Sequence, residues 1–110
     1  MSDMAPVLAC DLGALSGEER TRRSTVAAGV SARFREIRET ADGYAARLEA
    51  DPQVIRDALD WILLGRRCCP FLRLELGFDA SNGPAWLRFG GGPGVKDFLA
   101  AAGFKASPSQ

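Results

Sequence analysis

Histidine is absent from this chain of 110 residues. That absence removes Ser–His and Cys–His nucleophilic pairs, imidazole metal ligands and histidine-based pH sensing. An excess of charge is missing too, since Lys+Arg 14 balance Asp+Glu 14. Such neutrality argues against a dedicated binder of nucleic acid or acidic lipid. Long apolar runs are also lacking. The longest in the interior, Trp61 to Leu64, falls far short of the ~20 residues that a membrane span needs. Met1 to Ala9 carries Asp3 and no basic segment, so no secretion signal is expected. Without that signal, three cysteines, an odd number, imply a reducing cytoplasm and free thiols.

What is present reads as one globular domain over 1–110, with frayed tails at about 1–4 and 105–110. A chain this long buries roughly two-thirds of its unfolded surface, so it needs no metal or disulfide merely to hold a core. Ala5 to Asp11 reads as a short strand or extended segment carrying Cys10. Ser16-Gly17-Glu18-Glu19 is a capping-box pattern and opens a helix to about Ser31, with Arg20, Arg22 and Arg23 on its exposed side.

Asp42-Gly43 centres a hairpin over Phe34 to Glu49, placing Ala41 opposite Tyr44, Glu39 opposite Ala46 and Ile37 opposite Leu48. Glu39 then falls on the core side. Asp51-Pro52 starts a second helix to about Arg67, with Ile55, Ala58, Leu59 and Ile62 as its main stripe. Pro70 bars its continuation. Phe71 to Asp79 and Ala85 to Phe89 alternate as two strands around Ser-Asn-Gly-Pro, with Leu72, Leu74, Leu76 and Phe78 inward on the first. A final helix spans Val95 to Ala102. The order β-α-ββ-α-ββ-α gives an α+β fold. Its mostly antiparallel sheet is built from two hairpins plus an N-terminal strand, with three helices.

The chemistry concentrates in the cysteines. Cys68 and Cys69 are adjacent at a helix C-terminus, and Cys10 ends the first extended segment. Thiolates suit soft ions, namely Hg(II), Cd(II), Cu(I), As(III) or Zn(II). Linear or trigonal coordination needs only two or three of them. A four-ligand zinc finger is excluded by the spacing and the missing histidines. Adjacent cysteines seldom close a good disulfide, so the pair reads as a dithiol that chelates one soft ion or turns over in redox chemistry. Arg66, Arg67 and Arg73 lie near in sequence and favour thiolate, against the opposing helix dipole. The plainer alternative is that the cysteines pack as small hydrophobes.

Leu8-Ala9-Cys10, the Arg20 to Arg23 stretch, Asp42-Gly43-Tyr44, Arg67-Cys68-Cys69-Pro70-Phe71-Leu72 and Gly94 to Leu99 resemble a family of small, largely uncharacterised bacterial proteins. The family carries a Cys-Cys-Pro-Phe signature and is associated with resistance to heavy metals, mercury especially. The resemblance spans about Leu8 to Phe104, and its specific part is the dicysteine block. It implies thiol-based metal handling through Cys68, Cys69 and Cys10. Members often carry an acidic residue just before the arginines, where this chain has Gly65, a departure that puts any carboxylate role at that position in doubt.

Other features carry less. Glu39 is a candidate acid/base or oxygen ligand, though such a residue more often pairs with a cation at a sheet margin. Gly90 to Gly94 lacks the lysine and hydroxyl of a phosphate loop. Arg20, Arg22, Arg23 and Arg33 are offset by Glu18, Glu19, Glu36 and Asp11. Trp61, Leu64 and Trp86 either seal a small core or form a homodimer surface. The reading is a cytoplasmic soft-metal protein for sequestration or transfer. Its alternatives are a thiol redox protein or enzyme, and a dimeric interaction module with inert cysteines.

Overall fold

A computed structural model describes residues 8–108. A 3₁₀ turn at Leu12–Ala14 precedes helix α1 (Gly17–Ser31), strands β1 (Phe34–Thr40) and β2 (Gly43–Leu48), and helix α2 (Pro52–Cys68). Strands β3 (Leu72–Phe78) and β4 (Ala85–Gly91) and helix α3 (Val95–Ala101) complete the chain. The strands form one sheet in the order β1-β2-β4-β3, and every pairing is antiparallel. The α+β architecture with three helices and two hairpins is therefore as the sequence implies. The expected N-terminal strand is the exception. Its residues 5–7 lie outside the described residues, and 8–11 join no sheet.

Local chemistry sets the helix ends. The Ser16 hydroxyl accepts from the Glu19 N–H while the Glu19 carboxylate accepts from the Ser16 N–H, closing the capping box. The Asp51 carboxylate accepts from the N–H groups of Gln53 and Val54 at 3.0 and 3.1 Å, with Pro52 in the first turn.

The first hairpin slides from its expected pairing. Thr40 faces Gly43, Glu39 faces Tyr44 and Ile37 faces Ala46, so Ala41 and Asp42 make the turn. A slide of two residues preserves which face each side chain takes. The cause is Gly43, which is not held in a left-handed conformation. A side chain there would run into the carbonyl of Phe89 on β4. Gly43 is needed for the close approach of two strands rather than for a turn.

Central strands β2 and β4 carry the core. Leu48 and Leu87 are fully buried, and Val30, Tyr44, Ala58, Phe89, Val95 and Leu99 join them. The inward stripe of α2 is Val54, Ala58, Gly65 and Cys68, with Trp61 packed against Phe89 at 5.4 Å. Leu59, expected on that stripe, is exposed, as is Leu63. The stripe is turned because α2 packs on α1 as well as on the sheet. Arg22 ties the two helices through Asp57 and Asp60.

Trp61 packs against the core, while Trp86 is buried on the other sheet face with Arg38 lying over its ring. Phe78 pairs with Ala85 at the end of edge strand β3, where it is exposed instead of buried. The tail is ordered further than expected. Phe104 packs on Phe89 and Tyr44, and Ser107 exchanges hydrogen bonds with Ile37 at the β1 edge. Residues 1–4, expected to fray, lie outside the described residues.

Candidate metal centre

Heptad-like spacing along α2 delivers Cys68 inward at the last helical residue. The Cys69 N–H donates to the Gly65 carbonyl at 2.7 Å and ends the helix, and Pro70 prevents another turn. Both cysteines are fully buried. Cys10 arrives from the N-terminal segment because the Asp11 N–H donates to the Cys68 carbonyl at 2.7 Å. Two arginines lash that segment down. Arg67 donates to the Ala14 carbonyl at 3.1 Å, and Arg20 donates to the carbonyls of Leu12 and Leu15 at 3.2 Å each. Leu15, Leu64, Phe71 and Leu72 pack around the sulfurs.

The three Sγ atoms lie within 4.8 Å of one another. Cys10 and Cys69 are joined as a disulfide across 59 residues, which reverses the expectation that all three thiols are free. The vicinal pair is not bonded. Cys68 keeps its thiol, 3.6 Å from the Cys69 sulfur and 3.6 Å from the Gly65 carbonyl oxygen to which it donates. At metal–sulfur bonds of about 2.3 Å, three thiolates around one ion stand roughly 3.8–4.0 Å apart. The Cys68–Cys69 separation is already near that value, and reduction frees Cys10 and Cys69 to reach it. The cluster is therefore geometrically capable of coordinating a metal ion.

The cations near the sulfurs differ from those expected. Arg66 is exposed, Arg67 is paired with Glu19 at 2.5 Å, and Arg73 on β3 is held by Asp42 and Glu75. The guanidinium that reaches a sulfur is Arg23 of α1, with Nη2 3.9 Å from the Cys69 Sγ and its Nε buried without a partner. Arg23 was expected on the exposed side of its helix and is half-buried instead. Spacing alone does not single it out, because Arg22 and Arg23 stand four and three residues before buried Val26 and both fit its stripe, and Arg22 is drawn outward by Asp57 and Asp60.

Glu39 keeps its core-side parity but escapes to solvent at the end of edge strand β1, 58% exposed and 3.7 Å from Lys96 Nζ. It is a margin ion pair, remote from the cysteines in the fold's layout. Gly90 and Gly91 continue β4, where a side chain at Gly90 would meet those of Arg73 and Asp42. Arg22 and Arg33 are taken up by Asp57, Asp60 and Glu49.

Hydrogen bonds from Arg67 and from the Ser16 backbone hold the Glu19 carboxyl down at about 2. Because the folded value is depressed, the stabilisation from this pair is present above about 4.5 and is lost as pH falls toward about 2. Arg67 also holds the Cys10 segment, so acid loosens the approach to the sulfurs. In melts run from pH 6 to pH 2, Glu19→Gln should lose less stability through that window than the unmodified chain. Parallel curves would contradict the assignment.

Compared with protein-family models, curated proteins and solved structures, the chain matches none. Among the described residues, no helix is long and apolar enough to cross a membrane.

Proposed function

We propose that the reduced protein binds one soft metal or metalloid ion through Cys10, Cys68 and Cys69, for sequestration or handover in the cytoplasm. The observation that carries this reading is the convergence of three sulfurs within 4.8 Å from two distant parts of the chain. Soft thiolate donors with no histidine or carboxylate among them favour Hg(II), Cd(II), Cu(I) or As(III) over harder ions, with Zn(II) needing a further ligand. A heavy-metal-resistance setting, mercury included, belongs to this proposal. The Cys10–Cys69 bond is its off state, because a disulfide sulfur is a poor ligand. Two electrons and two protons from a thiol reductant restore both thiols and open the site.

The same bond favours a second reading as a thiol redox protein, with Cys10 and Cys69 as the exchanging couple and Cys68 beside them. The two readings separate in one experiment. Reduced protein is titrated with Hg(II) against excess competing monothiol and weighed by native mass spectrometry. One ion retained per chain, and none in the Cys68→Ser/Cys69→Ser double variant, is the expected result. No retention, with reversible dithiol–disulfide cycling intact, would replace the metal reading by the redox one. Homodimerisation is a further part of the proposal, supported by the exposed Leu59 and Leu63 on the outer face of α2. Sedimentation velocity is expected to give a dimer, and a monomer at all concentrations would remove that part.

A further inference from the structure

A cavity of about 350 Å³ opens between α1, α2, α3 and the sheet, directly against the sulfurs. Its walls are apolar and aromatic, with Trp61, Leu74, Phe89, Phe98 and Phe104 among them. The polar exceptions matter more. Cys10, Cys69, Arg23 and Ser31 line the same cavity, while Cys68 does not. A trithiolate for a bare ion needs no apolar chamber beside it, and a binder of free ions is served by a closed, tightly packed shell. An apolar cavity of about 150 Å³ is large enough to hold a benzene ring, so this one admits an aryl or short alkyl group with room to spare.

We propose that the preferred ligand is a trivalent metalloid or metal bearing one apolar organic substituent, as in a monoarylarsenical. The arsenic is held by Cys10 and Cys69 and the substituent lies in the cavity. This rests on the thiolate reading above and deepens it. Reduction of the disulfide by an external dithiol first supplies the two thiols. An aryl-arsenic oxide then condenses with them. Two As–S bonds form, the As–O bonds break, the two thiol protons leave with the oxide oxygen as one water, and arsenic stays trivalent. Such an arsenic takes two thiolates where inorganic As(III) takes three, matching the two sulfurs that face the cavity. Arg23, whose Nη2 is 3.9 Å from the Cys69 Sγ, offsets thiolate charge beside the apolar wall.

The test competes reduced protein against dithiothreitol for phenylarsine oxide, for methylarsonous acid and for arsenite, with binding read by native mass spectrometry. Dithiothreitol normalises the intrinsic thiol affinity of each arsenical. The expected result is a preference for phenyl over methyl of roughly ten- to a hundredfold beyond that of dithiothreitol, the effect of burying one aromatic ring. Cys68→Ser should lose arsenite and keep phenylarsine oxide. Gly65→Leu projects a side chain toward Leu74, where an added Cβ meets only the Leu74 Cδ1 at 3.8 Å. It should abolish the phenyl preference and retain arsenite. If this variant loses arsenite as well, the ligand series in the unmodified chain decides alone. Arsenite retained with no phenyl preference would overturn the cavity proposal and leave the thiolate reading standing. Retention of none of the three arsenicals would overturn both.

Discussion

Serine in place of Cys69 is expected to weaken As(III) binding by the reduced protein more than about a hundredfold, since disturbing even a supporting partner of a metal ligand costs roughly 10–100-fold. Cys69 is the hinge of the cluster. Its sulfur is bonded to Cys10 and lies 3.6 Å from that of Cys68. It is also the sulfur that Arg23 approaches. Removing it leaves Cys10 and Cys68 without the ligand that joins them, and leaves the Arg23 guanidinium facing a neutral hydroxyl. The same change removes the Cys10–Cys69 disulfide, so the reduced variant should carry two alkylatable cysteines where the reduced unmodified chain carries three. Isothermal titration with arsenite and thiol counting after denaturation check the two halves. Unchanged affinity in Cys69→Ser would mean that the ion, if bound, is held elsewhere.

Two glycine-to-alanine substitutions are expected to move stability in opposite directions. Gly43→Ala places a Cβ against the Phe89 carbonyl, which belongs to the backbone of a central strand and has nowhere to go. The β2–β4 pairing at Tyr44 and Phe89 must open. The expected loss is about 3 kcal/mol or more, at the upper end of overpacking effects. Gly65→Ala meets only the Leu74 side chain at 3.8 Å, an ordinary contact, in the interior of α2. It should gain up to ~1 kcal/mol through helix propensity. At roughly 4–8 °C per kcal/mol for a domain near this size, thermal melts resolve both changes. Two shifts of the same sign would contradict the placement of one glycine or the other.

Local signals carried most of the fold. Ser16-Gly17-Glu18-Glu19 and Asp51-Pro52 announced two helix starts because the capping chemistry is written in adjacent residues. Pro70 marked the end of α2 and so placed the dicysteine at its terminus. What escaped depended on contacts between distant segments. Asp42-Gly43 looked like the turn itself, yet Gly43 answers to β4, which lies 46 residues further along at Phe89. Leu59 fits a one-sided helix but not one wedged between a sheet and a second helix. In the site, the vicinal pair and the third cysteine were legible as thiol donors. Their joining through the Asp11–Cys68 backbone bond was not. Arg23 was hidden for a related reason. A charged residue on a buried stripe reads as surface until its partner, the Cys69 sulfur, is in view.

The central claim is that Cys10, Cys68 and Cys69 act as one three-sulfur site. X-ray absorption at the arsenic edge, on fully reduced protein loaded with one arsenite per chain, counts the ligands directly. Three sulfur neighbours and no oxygen neighbour are predicted. Two sulfurs and one oxygen, unchanged in Cys10→Ser, would show that the vicinal pair works alone and that the fold does not assemble the site.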